Sequence, residues 1–592
     1  MPKVTLGRYM WERFSIQSFL LMKGVPGDFN LQFLDAIFEV KGLKWVGNQN
    51  ELNAAYAADG YARIKEVPGC LVTTHGVGEL SALNGVAGAM SERVKMIHVV
   101  GQTTRAMQDN RMMIHHSIGD KPDHQQYNKA SKGLRCAAAE LWDVETAPAE
   151  IDRVLRECFL QSGPVYIFLP LDLSSEEVSA DLLKRPIDLA PQINGPAQEK
   201  AISAIQEALA ASKHPSVLVD ALAHRFDAVP ETRDLVSKMK VPFFSTNMGK
   251  GLVDETEETY VGLWNGEIGT PGVKETAQLS DLIVCVGYLP ADTNSGGFSR
   301  KFDENKAIHI NPFDVMVKGL VYPNIHIKSL LAALVEALPS NPKHSILKLE
   351  LPPPRIPKDA EARHTTQSWL WPRFSQFLRP GDILIGETGT TVFGICDNPF
   401  PKNIRFQAQI YYGSIGWATP ATLGAELARQ ELNGSQGRTI LVTGDGSLAM
   451  TIQEVGTMIK AGLKPIIFVI NNDGYTVERM IWGAQQAYND IVPTSYSYLL
   501  PLFKHPSPST SFHRAQSKAE LEKILDLPQV KDPQNLQLVE VVVDKLDTAW
   551  RLGSQLAVRG EKQREYLTRE GFVDTYGDWG LVDGGDVDVK WN

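Results

Sequence analysis

The chain has 592 residues, a formal net charge of −10, 43% hydrophobic residues and 22% charged ones. That length exceeds what one hydrophobic core supports, so two to four domains are expected in an ordinary globular protein. The acidic balance excludes a nucleic-acid binder with a basic face, and no apolar run is long enough to span a bilayer, so neither nucleic acid nor a membrane is expected as a partner.

In chain order, WERFSIQSFLL predicts an amphipathic helix, and Asn30 is placed to cap a second helix over LQFLDAIFEV. KWVG reads as a short strand and ELNAAYAADGYARI as an Ala-rich helix. CLVTTHGVG, KMIHVVGQ and PVYIFLPLD are apolar runs of the kind that form parallel strands buried on both faces. They define a first unit, 1–182. After the polar KRPIDLAPQINGPAQEK, the runs SVLVDAL, VPFFSTNMGKG, DLIVCVGYL and KAIHINP build a second unit, 197–342. The prolines of LPPPRIPKDAEARH block helix and central strand and mark a linker at 343–362. GDILIGETGT, RTILVTGDGSLAM, KPIIFVINNDG and LQLVEVVV form a third unit, 363–546. A helical stretch and a Gly/Asp-rich tail complete 547–592. Strands alternating with helices predict an α/β fold of three consecutive doubly wound parallel-sheet domains, with a C-terminal helix and tail.

Five scattered cysteines (Cys70, Cys136, Cys158, Cys285, Cys396) form no C-x-x-C and no even framework, which fits buried thiols in a reducing compartment. MPKVTLGRYMWERF lacks the apolar stretch of a signal peptide, and DVDVKWN carries none of the common targeting endings. A cytoplasmic location is expected.

The most specific chemical signal lies in the third unit. RTILVTGDGS and PIIFVINNDG each end an apolar strand in a polar turn, with Asp445 and Asn472 27 residues apart. Ligands in α/β folds bind at such carboxyl ends. Asp445 and Asn472 offer the hard oxygens that Mg²⁺ requires, and the N–H groups of Gly446 and Ser447, at a helix start, can hold a diphosphate. Either turn alone is common; the pair at this spacing is not. Other motifs fail. THGVGELS has only part of a dinucleotide fingerprint, and no G-x-x-x-x-G-K-[ST] occurs. His115 and His116, in MIHHSIGD, are adjacent, so they lack the i, i+4 spacing of a helical metal site.

The chain resembles the thiamine-diphosphate-dependent 2-oxo acid decarboxylases, and within them the fungal-type pyruvate decarboxylases. The resemblance rests on GVPGDFN (24–30), GNQNELNAAYAADGYAR (47–63), IHHSIGD (114–120), GETGT (386–390), GSIGWATPATLGA (413–425), GDG and NNDGYTVE (471–478). It implies a pyrimidine-binding first domain, a middle domain that holds no thiamine, and a diphosphate-binding third domain. It implies thiamine diphosphate and Mg²⁺ as cofactors, the metal held by Asp445, Asn472 and the Gly474 carbonyl. Glu51 would bond the aminopyrimidine, the Gly413 carbonyl would accept from its amino group, and Ile415 would bend the cofactor. Thr390, Gly446, Ser447, Asn472 and Tyr475 would be further cofactor contacts. Asp28, Glu51, His115, His116 and Glu478 would be catalytic. On this reading Asp28 and His116 protonate the enamine left after a thiamine ylide has taken up the substrate and CO₂ has departed. His115 would tune them, and a desolvated Glu478 would act beside the substrate carboxylate.

The implied reaction is non-oxidative decarboxylation of a 2-oxo acid, foremost pyruvate to acetaldehyde and CO₂. The resemblance also implies self-association as a dimer or tetramer, with active sites between subunits. Indolepyruvate or phenylpyruvate decarboxylation is the alternative within the same chemistry, and a filament-forming structural protein with residual activity is the alternative from another class. A carboligase is disfavoured by the histidine pair with Glu478. Three departures stand out. VLVDALAHR lacks the regulatory cysteine of some relatives, and Cys285 reads as core. Val392, Val477 and Ile481 line a pocket that is roomier at Val477, where Ile is frequent. The tail beyond Leu567 is longer than usual.

Overall fold

The computed structural model describes residues 3–19, 21–339, 355–432 and 437–580. Part of the expected Pro-rich linker (340–354) and the end of the expected tail (581–592) lie outside the described residues. By internal contacts the chain divides into two units. One comprises residues up to 190 together with 417–434 and 451–463; the other comprises 191–416, 435–450 and 464 onward.

The first unit is built on a six-stranded parallel sheet in the order 44–47, 21–24, 69–74, 96–102, 164–170, 137–140. Its central strands, Gly69–Thr74, Met96–Gln102 and Pro164–Pro170, are buried at every position, which explains their unbroken apolar reading. The first helix differs from expectation. It spans Leu6–Ile16, and Ser18 then turns left-handed (φ 64°), so that Leu21–Gly24 enters the sheet as a strand. Asn30 precedes the helix Leu31–Glu39, but its side chain makes no cap bond; Oδ1 instead accepts from Gly27 N at 2.9 Å, bracing the turn that carries Asp28.

The Ala-rich helix Glu51–Lys65 packs along Ala418–Glu431. A Cβ on Gly60 would lie 2.2 Å from the Ala421 carbonyl oxygen, and one on Gly424 1.9 Å from that of Ala57. The small residues of AADG and TLGA therefore exist to let two backbones touch. This contact places 418–431 with the first unit, although its sequence neighbours belong to the second. Beneath the crossing, Arg63 binds Asp59 at 2.6 Å and Glu92 at 2.8 Å, and Trp417 Nε1 donates to Asp59 at 3.1 Å, so these buried charges are paired.

The second unit holds two sheets. The seven-stranded one runs 260–263, 243–245, 215–219, 282–286, 307–310, 314–317, 320–323. It is parallel except for an antiparallel hairpin, Asp314–Val317 with Leu320–Pro323, at one edge. The six-stranded sheet is parallel throughout, ordered 405–408, 383–386, 439–444, 466–471, 537–542, 512–515. The expected C-terminal helix is two, Trp550–Ala557 and Glu561–Glu570, separated at Gly560 (φ 131°). All three main sheets are of the predicted α/β type. No helix of the described residues is long and apolar enough to cross a membrane.

Candidate functional site

In the second unit, strands 439–444 and 466–471 are parallel neighbours and deliver Asp445 and Asn472 to one end of the sheet. Asp445 is 2% exposed, and burial pushes its carboxyl up to about 6. Backbone N–H groups work against that rise: Gly446 N donates to Oδ1 at 2.7 Å and Gly474 N to Oδ2 at 3.2 Å. The Gly446 N–H is thus spent on Asp445 rather than free for a diphosphate, and the helix it opens, Asp445–Thr451, is only seven residues long.

Asn472 Nδ2 donates to Thr476 Oγ1 at 2.8 Å, which turns its oxygen toward two other acceptors. That oxygen lies 3.1 Å from Asp445 Oδ1 and 2.9 Å from the Gly474 carbonyl oxygen; with the amide turned over, Nδ2 would donate to both and Oδ1 would accept from Thr476 Oγ1. With Oδ1 inward the three oxygens suit a cation among them; with Nδ2 inward the amide satisfies them without one. Mg²⁺–oxygen bonds of about 2.0–2.1 Å put adjacent octahedral ligands about 2.9 Å apart. With Oδ1 inward the donor set is all hard oxygen, and its spacing fits Mg²⁺. Gly474 reaches this place because it is glycine: φ is 129°, and a Cβ would stand 2.4 Å from the Asn489 carbonyl oxygen.

A cavity of about 340 Å³ opens beside these oxygens. Its walls include Gly413, Ile415, Thr390, Gly446, Ser447, Tyr475, Val477, Glu478 and Ile481, all anticipated from sequence. Val392 is not among them. It is buried in the core against neighbours such as Ile395 and Phe406, while Thr391 and Phe393, one helical step to either side, line the cavity. Glu478 is exposed on this chain rather than desolvated. Asp292, Thr293 and Thr388 contribute, as do Leu552, Gln555, Leu556 and Arg559 of the C-terminal segment; none of these was singled out from the sequence. Only a period-3.6 apolar face in TAWRLGSQL hinted that this segment packs on something.

In the first unit, Asp28 Oδ2 meets His115 Nε2 at 2.7 Å, both side chains being more than half exposed. The ring of His115 stacks on Phe29 (5.1 Å, 20°) and meets His116 edge-on at 4.7 Å. One ligand atom from each of Asp28, His115 and His116 falls within 4.8 Å of the others. The resemblance gives Asp28 and His116 a shared role in proton transfer, with His115 tuning them; in the structure the Asp28 carboxylate bonds to His115. His116 has a left-handed backbone (φ 69°), and Tyr127 Oη donates to its carbonyl at 2.6 Å. Gly76 must be glycine here, since a Cβ would lie 2.7 Å from that carbonyl oxygen. Glu79 Oε1 accepts from Gly76 N at 2.9 Å and fixes the loop; burial raises this carboxyl to about 8.

Glu51 begins the helix Glu51–Lys65, half-buried, after Asn50, whose side chain accepts from Asn53 N. Its Oε1 would come within 3.2 Å of a Cβ on Gly78, so that glycine leaves the carboxylate clear. The preceding loop is held by Glu454, which accepts from Asn48 Nδ2 (3.1 Å), Gln49 N (2.9 Å) and Asn53 Nδ2 (3.1 Å). Glu454 and Tyr127 are positioning groups that the sequence did not reveal, because each acts through a contact with residues far along the chain or across a loop.

Three consecutive stretches match parts of the thiamine pyrophosphate enzyme family: its N-terminal TPP binding domain over 5–127, its central domain over 202–338 and its C-terminal TPP binding domain over 387–509. The chain is 40% identical over 559 residues to a pyruvate decarboxylase of Candida glabrata, covering 94% of this chain and 98% of that protein. It is 39% identical, with the same coverage, to pyruvate decarboxylase isozyme 2 of Saccharomyces cerevisiae. A pyruvate decarboxylase of Aspergillus terreus is 40% identical over 92% of this chain and 95% of its own length.

Proposed function

The chain belongs to the thiamine-diphosphate-dependent 2-oxo acid decarboxylase family, and from that premise we propose that it converts pyruvate to acetaldehyde and CO₂ with thiamine diphosphate and Mg²⁺. The observation that carries the reading is the meeting of the Asp445 carboxylate, the Asn472 amide and the Gly474 carbonyl beside a cavity, at the ends of neighbouring strands. Thiamine diphosphate, when bound, supplies the electron sink for CO₂ loss; the chain supplies binding, geometry and proton handling. Asp445, Asn472 and Gly474 hold the metal. Gly446, Ser447, Thr390 and Tyr475 wall the diphosphate end. Glu51 and the Gly413 carbonyl would hold the aminopyrimidine, and Ile415 would supply an apolar wedge. Asp28, His115 and His116 would handle protons, with Glu478 as the carboxylate beside the substrate.

The division into pyrimidine-binding (1–182), middle (197–342) and diphosphate-binding (363–546) domains belongs to the same proposal. So does self-association as a dimer or tetramer, in which the Asp28 cluster of one subunit faces Glu478 of another, in the cytoplasm. Pyruvate is favoured over indolepyruvate because about 340 Å³ must accommodate the diphosphate end of the cofactor as well as the substrate, between Ile415, Ile481 and Leu552. A panel of 2-oxo acids, with CO₂ release measured with and without thiamine diphosphate and Mg²⁺, tests the proposal. Pyruvate turnover that needs both is expected. Preferred turnover of an aryl 2-oxo acid would refute the substrate assignment, and cofactor-independent turnover the mechanism.

A further inference from the structure

The cavity of the second unit has a lopsided charge. Asp292, Asp445 and Glu478 are its acids, and among the described lining residues Arg559 is the one cation. A 2-oxo acid is itself an anion. Asp445 is committed to the metal, but Glu478 and Asp292 repel a carboxylate entering beside them. The guanidinium of Arg559 is exposed and has no ion pair or hydrogen bond among the described residues. Four residues earlier, on the preceding turn, Gln555 also lines the cavity; its shielded Oε1 is an acceptor and calls for a donor rather than a carboxylate, which leaves Arg559 as the group an anion would meet.

Their mounting is rigid. Helix Trp550–Ala557 is pinned by Arg551, which binds Asp397 at 2.6 Å. Leu552 and Leu556 face the cavity from the same helix and pack in an apolar cluster with Met480 and Ala557. Arg559 follows directly, its N–H donating to the Leu556 carbonyl at 3.0 Å. It is exposed and lines the cavity, as does the helix Thr476–Ile481 that carries Glu478.

We propose that Arg559 captures and orients the carboxylate of the incoming 2-oxo acid at this cavity. The inference rests on the decarboxylase reading and deepens it by naming a substrate-recognising group. An exposed cation suits capture better than tight binding. A carboxylate clamped in a buried ion pair would be stabilised in the ground state and would resist losing CO₂. Such a cation raises the encounter rate and weakens as salt screens it. Its effect should therefore fall on KM and be salt-dependent.

The test uses the full chain with thiamine diphosphate and Mg²⁺. Arg559→Gln should raise KM for pyruvate about fivefold and lower kcat by no more than twofold. The kcat/KM advantage of wild type over Arg559→Gln should shrink as ionic strength rises from about 0.01 to 0.15 M, over which the Debye length falls from about 30 to 8 Å. Arg559→Lys, which keeps the charge, should keep the wild-type salt dependence. A readout free of turnover is calorimetric titration of the chain with oxamate, an unreactive isostere of pyruvate, whose affinity should drop by the same factor in Arg559→Gln. Pyruvate turnover with KM, salt dependence and oxamate affinity all unchanged in Arg559→Gln would overturn the inference and leave the decarboxylase reading standing. Equal behaviour of the Gln and Lys variants would also overturn it. Oxamate binding that depends on Arg559 in a wild-type chain that turns over no 2-oxo acid would support the anion site and overturn the decarboxylase reading instead.

Discussion

The two reactive regions are built on opposite principles. The cavity of the second unit buries its carboxylate, lines it with backbone N–H groups and brings an amide and a carbonyl beside it; on the proposal above it holds a cation. The Asp28–His115–His116 cluster of the first unit lies near solvent and is assembled from ring stacking and a left-handed backbone clamped by Tyr127 and Gly76. On the proposal above it handles protons. A metal site has to win against desolvation, so it needs depth; proton handlers need pKa values within reach of working pH, so they need water nearby.

The sharpest way to break this comparison is Asp445→Ala. It removes the one charged oxygen of the convergent set, and thiamine diphosphate and Mg²⁺ should no longer co-elute with the chain in gel filtration. Retention of both at wild-type stoichiometry would mean that these groups meet for another reason. A smaller but still large effect is expected in the other region. His115→Phe preserves the stack on Phe29 and removes the 2.7 Å bond to Asp28. Turnover of pyruvate should drop about 100-fold, within the usual range for loss of a general acid–base partner, with cofactor retention intact. Loss of cofactor in this variant would erase the distinction between the two regions.

Smaller again is the effect of pocket volume. Val477→Ile narrows the cavity wall by one methylene, worth about 1–3 kcal/mol in discrimination. The ratio of kcat/KM for 2-oxobutanoate to that for pyruvate should fall by roughly tenfold; an unchanged ratio would mean Val477 does not meet the substrate chain. The least effect concerns stability. Glu79 has its carboxyl raised from 4.5 to about 8 by burial, with Arg135 pulling it down and His75 Nδ1 at 3.8 Å. The folded state then holds a proton that the unfolded state has released, so stability is greatest below about pH 4.5 and is lost as pH rises toward 8. Glu79→Gln should flatten the fall of melting temperature between pH 5 and 8 by a few degrees. A slope identical to wild type would show that this loop carries no such linkage.

The sequence by itself determined the parts of this protein that rest on local patterning. Apolar runs such as ILVTG and IIFVIN are strands because both their faces are buried, and GDG and NNDG lie at their ends because polar turns must follow. Those local rules also placed Asp445 and Asn472 at the ends of two strands, and the resemblance added Glu51, the paired histidines and Glu478; that the two strands are neighbours was decided by the sheet. Tertiary structure decided what depends on contacts between distant segments. The helix 418–431 joins the first unit because Gly60 and Gly424 let it touch 51–65, a partnership more than 350 residues apart that no local period encodes. Val392 turned to the core and Phe393 to the cavity because a helix rotates about 100° per residue, and only packing sets its phase. That the Asp28 carboxylate bonds to His115 at 2.7 Å, with a His116 ring nitrogen within 4.8 Å, is set by the fold of two separate loops. Arg559 reached the cavity because Arg551, eight residues before it, is bound to Asp397, a long-range ion pair that orients the whole segment.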